Sequence, residues 1–225
     1  MPNHQTAARA LSTAQERKLV DFVEDRFLEL TRNYKKRSDP SSTVPTLSCY
    51  LTSSHTLLSF ILQIPPVQPS SFLRVTFLLR LTSEVMGAIT GYQPAAAGLP
   101  QLLSWLNDLD RGWLAVLRSQ AWDPDAREGV DVPQQTDALH GDTGGAMRSP
   151  MTQTERARLR SLLISGTGRL EEWLVELDTG GQDYTAVLQT MDLQQGFDDL
   201  FAGTLTEMGS LNGVMNVHEG MEGTC

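Results

Sequence analysis

Cysteine is nearly missing from this chain: of 225 residues only Cys49 and Cys225 carry a thiol. Two cysteines so far apart make neither a disulfide framework nor a metal-ligand pattern, and their scarcity fits a reducing compartment. Basic residues are absent from a whole region. Residues 181–225 contain no Lys or Arg but seven acids, within a chain of net charge -9. Such a tail repels a polyanion, so nucleic acid would at most meet residues 1–37, where eight basic residues face five acidic ones. Long apolar runs are lacking too. The greasiest window, Leu57 to Leu81, is interrupted by Pro65, Pro66 and Pro69 and carries Arg74 and Arg80. It falls short of the roughly 20 uninterrupted apolar residues a membrane helix needs. The N-terminus, MPNHQTAARALSTAQERK, has no apolar core of a secretion signal. A soluble, non-secreted protein with no membrane partner is expected.

What is present is helical periodicity. Forty percent of the residues are hydrophobic, enough for a core. Thr13 and Glu16 are spaced as a capping box, and Val20, Val23, Phe27, Leu30 and Tyr34 follow on one helical face up to Lys35-Lys36-Arg37. Pro45 is expected to open a second helix carrying Leu47, Leu51, Leu58 and Ile61 and stopping at Pro65-Pro66. A third follows Ser70 to about Thr90, and a fourth starts at Pro100 with Leu102, Leu106, Leu109, Trp113 and Val116 aligned. Thr152 and Glu155 form a second capping box ahead of a fifth helix with Leu159, Leu163, Leu170, Trp173 and Leu174. Gly166 and Gly168 inside it predict a kink, and Gly180-Gly181 its end. The expected fold class is all-α, an irregular bundle of about five helices. Its domains read as a disordered N-terminus (1–12), a helical body (13–120), an acidic flexible linker (121–150), an amphipathic helix packing on the body (151–180) and an acidic tail (181–225).

Candidates for chemistry are few. His4, His55, His140 and His218 are scattered, with no HExxH and no Cys/His cluster, so no metal and no cofactor is expected. Ser54 beside His55 lacks the strained elbow of a nucleophilic serine, and reads as part of an ordinary helix. An apolar pocket converging on His55 with a nearby carboxylate would change that. Ser165-Gly166-Thr167-Gly168-Arg169 lacks P-loop spacing. Trp105, Trp113 and Trp173 sit beside leucines at helical spacing, which reads as core. No catalytic constellation emerges, and the chain reads as a non-enzyme.

The tail holds one apolar cluster. Phe197, Leu200, Phe201 and Leu205 fall at i, i+3, i+4 and i+8, followed by Met208 and interleaved with Asp198 and Asp199. On one short helix this face would either enter a hydrophobic groove of a partner protein or dock onto the chain's own body. Both predict the same spacing.

The order of features has a parallel. Pro69-Ser70-Ser71-Phe72-Leu73-Arg74-Val75-Thr76-Phe77 gives a proline turn into an FxRVxF-like helix. A Leu-rich helix follows (Leu99 to Leu117), then the acidic linker, the helix Arg156 to Trp173, and a segment of FDDLF type, Phe197 to Phe201. Over residues 45–210 this resembles the C-terminal end of the regulatory region of fungal binuclear zinc-cluster transcription factors. The resemblance implies a nuclear transcription-regulator-like protein acting through protein contacts, with Phe197–Met208 as an activation-type segment. That family binds DNA through a six-cysteine zinc cluster, which this chain cannot form, so direct sequence-specific DNA binding is not expected. The alternative reading is a non-catalytic helical scaffold subunit of a larger intracellular assembly.

Overall fold

The computed structural model describes residues 9–132, 151–181 and 183–216, with side chains through Ser210. The described chain is mostly helical, as expected. Helix α1 (Thr13–Lys35) starts at Thr13 as expected, but its cap lies one residue before the expected box. Ser12 is the cap, its side chain accepting from the Gln15 backbone while the Gln15 amide returns to the Ser12 N–H. Serine and threonine both cap and Gln can stand for Glu at the third position, so the neighbouring Thr13–Glu16 pair fits the same pattern in the wrong register. Val23, Phe27 and Leu30 are buried along its inner face.

Helix α2 (Leu47–Leu62) is capped by Thr46, which puts Pro45 before the helix rather than at its first position. The hydroxyl of Thr46 satisfies a first-turn donor, a service proline cannot provide. Helix α3 (Ser70–Ile89) is buried nearly all round, and α4 (Leu99–Leu117), entered through a short 3-10 turn at Ala96–Gly98, has Pro100 in its first turn. Helix α4 packs against α2, α3 and later elements, and so forms the centre of the fold. Its Trp113 is wholly buried, with the indole N–H donating to Thr82 Oγ1 at 3.0 Å. Thr82 passes its own proton to the Leu78 carbonyl at 2.8 Å, so this buried polar pair is satisfied.

The expected linker is corrected over its first ten residues. Ala121–Asp123 (β1) and Glu128–Val130 (β2) pair antiparallel and lie against α4. Asp123 Oδ1 accepts from the Asp125 and Ala126 backbone, so acid and proline here build a tight turn. Trp122 is buried as the hairpin's anchor. Gly129 is required, because a Cβ there would sit 2.8 Å from the Ala115 Cβ. The rest of the expected linker, 133–150, lies outside the described residues.

Helix α5 (Gln153–Val175) has the expected box between Thr152 and Glu155 and runs unbroken past both glycines. Gly166 serves close approach instead of a kink: a Cβ would meet Met86 Cε of α3 at 2.6 Å. The helix stops at Val175, ahead of Gly180 and Gly181, whose left-handed φ values of 63° and 92° turn the chain. Trp173 is buried and donates to the Tyr92 carbonyl at 2.6 Å. Helices α6 (Tyr184–Thr190), α7 (Gln194–Asp198) and α8 (Ala202–Asn216) complete the described chain. No helix among the described residues is long and apolar enough to cross a membrane.

Candidate functional site

The tail segment singled out from sequence is not one continuous helix. Helix α7 ends at Asp198, Phe201 takes a left-handed φ of 59°, and α8 begins at Ala202. That break rotates the apolar side chains so that Phe197, Leu200, Phe201 and Met208 are all buried, with Leu205 partly so. Asp198 and Asp199 remain exposed, bonded to Gln194 and Gln195 one turn earlier. Helix α4 receives the segment. Asp110 Oδ1 accepts from the Thr204 backbone N–H at 3.0 Å, supplying from another helix the cap that α8 lacks locally. Arg118 pairs with Glu207 at 2.7 Å. In the folded chain the aromatic face is thus engaged with its own body, and its apolar side chains are not presented to a partner.

Among the described residues, two open concavities stand out instead. The larger, about 520 Å³, lies between the antiparallel helices α1 and α2. Leu30, Val44 and Leu57 form its floor and are buried. Phe22 and Phe60 stand at one end with ring centroids 4.8 Å apart, and are 45% and 38% exposed. Arg26 and Glu29 on its wall neutralise each other at 2.8 Å, and the Arg26 guanidinium lies over the Phe22 ring. Pro124 of the hairpin turn also lines it. The groove is apolar with its charges already paired.

The smaller concavity, about 280 Å³, mixes apolar and charged lining. Pro100, Leu103, Ser104, Asn107, Asp108 and Arg111 line it from a single stripe of α4, the spacing of one helical face. Arg127 from the hairpin and Leu193 from the α6–α7 connection close its sides. Beside it, three residues far apart in sequence converge. Asp108 is buried, and its Oδ2 lies 2.9 Å from His55 Nε2 of α2 and also accepts from Arg127 Nη2. That contact assigns the proton of a neutral imidazole to Nε2. Burial, together with the Arg127 guanidinium 3.4 Å away, holds the His55 pKa below its ordinary value. Arg127 already offsets the Asp108 charge, so an imidazolium gains little there. Arg127 takes a left-handed φ of 56°, a conformation non-glycine residues adopt at a cost of about 1 kcal/mol or more.

This cluster was missed in the sequence. A carboxylate does stand beside His55, yet the pocket next to it is lined by Asp108 and Arg127 and not by the imidazole. Ser54 is no nucleophile for it: its hydroxyl is buried and donates to the Leu51 carbonyl at 3.1 Å. No group of His, Cys, Asp and Glu among the described residues is arranged to hold a metal ion. The tryptophans Trp105, Trp113 and Trp173 are core, as their spacing implied. Arg37 of the basic run packs over the Tyr34 ring at 4.6 Å and donates to the Gly91 carbonyl. His4, His140, His218 and Cys225 lie outside the described residues. No family model matches the chain, and no curated protein or solved structure matches it.

Proposed function

We propose that this chain is a non-catalytic, transcription-regulator-like protein that works through protein–protein contacts, with the α1–α2 groove as its contact surface. The observation that carries the reading is the pair Phe22 and Phe60, in tilted ring contact and half-exposed at one end of an apolar groove. Exposed aromatics over a buried aliphatic floor are the composition of an interface centre. The lining runs along α1 from Phe22 to Asn33, about 16 Å of helix, or three turns. An amphipathic helix of a partner protein, with apolar anchors at i, i+3 and i+7, fits that length and would complete a three-helix contact. A charged peptide suits it poorly, since Arg26 and Glu29 already satisfy each other. The nuclear, regulatory part of the reading comes from the family resemblance. DNA would be reached only through the partner.

The test fuses the full chain to a foreign DNA-binding domain and measures a reporter. Activation that disappears in Phe22→Ser/Phe60→Ser, with thermal stability unchanged, is expected. Activation indifferent to that double substitution sinks the groove. The burial of Phe197, Leu200, Phe201 and Met208 favours a second reading, a scaffold subunit whose tail is part of its own body. On that reading no fusion activates, while protection of the 197–208 amides in hydrogen exchange on the isolated chain follows from the fold and is common to both readings.

A further inference from the structure

We propose that the pocket on α4 is a binding site for a small organic carboxylate, held by Arg111 and Arg127 with its short apolar body against Leu103 and Leu193. The site carries more cation than it uses. Arg111 is exposed at the pocket edge and takes part in no hydrogen bond or ion pair among the described residues. Arg127 spends Nη2 on Asp108, while its Nε and Nη1 have no described partner. Asp108, the carboxylate within the pocket, is occupied by both His55 and Arg127, so it offsets one guanidinium and leaves the other unbalanced. Asp110, next to Arg111 in sequence, turns its carboxylate to Thr204. A net positive pocket in a chain of net charge -9 is a local feature and not a consequence of composition.

The donor set decides the chemistry. Two guanidinium forks, the Ser104 hydroxyl and the Asn107 amide match oxygens in a plane, the geometry of a carboxylate. Pro100 and Leu103 on the same stripe of α4, with Leu193 at the side, offer nothing to a fully hydrated inorganic ion and favour an aliphatic or aryl body. A volume of about 280 Å³ lies at the lower edge of small-molecule sites, which limits the ligand to about the size of a single ring. His55 and Asp108 are positioning residues here. Asp108 holds the left-handed Arg127 at the rim, and His55 donates to the same carboxylate and orients it.

The full-length chain, labelled for two-dimensional NMR, is titrated with benzoate, with the neutral isostere benzamide, and with inorganic phosphate. Saturable benzoate shifts at the amides of Ser104, Asn107, Arg111 and Arg127 are expected, with benzamide at least about tenfold weaker because it lacks the charge-assisted bonds. Arg111→Ala weakens benzoate by a similar factor with unchanged melting temperature, and Arg111→Lys falls between. Equal binding of benzamide, unaltered binding by Arg111→Ala, or no saturable shift at these amides overturns the proposal. Phosphate saturating the same amides more tightly than benzoate overturns the assignment to an organic carboxylate. None of these outcomes depends on the groove, so this site and the proposed contact function fail separately.

Discussion

The α1–α2 groove and the α4 pocket are bordered by the same hairpin and differ in chemistry. Helix α2 turns Ser53 and Thr56 to the groove and sends His55 to Asp108 beside the pocket. The hairpin gives Pro124 to the first and Arg127 to the second. In the groove the charges are paired and apolar surface is left over. In the pocket, apolar surface is mixed with polar groups and a guanidinium is left over. What remains unsatisfied at each surface therefore names its complement: an apolar helix for one, a carboxylate for the other. One hairpin of ten residues holds both in place.

That shared wall gives the most severe test. Trp122→Ala removes the hairpin's buried anchor and is expected to cost about 3–5 kcal/mol by chemical denaturation. Reporter activation and carboxylate binding should fall together. If either survives intact, the hairpin does not support both surfaces. Asp108→Ala acts on the pocket alone. It leaves His55 and Arg127 without their acceptor, but both are partly exposed and water can replace it, so about 1–3 kcal/mol is expected, with the groove unaffected. A loss of reporter activation with this variant would merge the two regions into one.

Arg74, in the FxRVxF-like helix, sharpens the comparison from beneath. It is buried, donates from Nη1 to the Gln120 carbonyl at 2.7 Å at the root of the hairpin, and leaves Nε and Nη2 without a partner. Burial lowers its pKa to about 10. Removing an uncompensated buried charge offsets the loss of one hydrogen bond, so Arg74→Met should change stability by about 1 kcal/mol or less in either direction. A larger loss would show that the guanidinium is a strut of the hairpin and of both surfaces. The smallest effect belongs to His55. Its folded pKa lies below the unfolded value of 6.5, so the unfolded chain binds a proton more readily. The stability it contributes is complete above pH 6.5 and is lost as pH falls through the folded value. Between pH 7.5 and 5.5 the wild type should lose more stability than His55→Gln; parallel curves would put His55 outside the pocket's electrostatics.

The helices were legible because amphipathic faces repeat at short range. The stripes of α1 and α4 and the cap at Thr152 could be read from residues three and four apart. The hairpin was not, since Asp123-Pro124-Asp125 and Gly129 have the composition of a linker and of a tight turn alike. For Phe197 to Met208 the spacing specified an apolar face but not its host. The left-handed Phe201 and the cap from Asp110 decide that, and neither has a local sequence signal. The pocket was the least visible part: His55, Asp108 and Arg127 are 53 and 19 residues apart, and no motif spans them.

The amino-acid sequence by itself determined that the chain is helical, that its two cysteines are too few for a disulfide framework, and that its acid is concentrated toward the end. Those properties follow from composition and from periodicity within a few turns, where backbone geometry fixes which side chains share a face. Only the tertiary structure decided which apolar faces are used up internally and which charges stay unpaired. Both depend on what packs opposite. The tail's aromatic cluster found its complement on α4, while Phe22, Phe60 and Arg111 did not find theirs within the described chain.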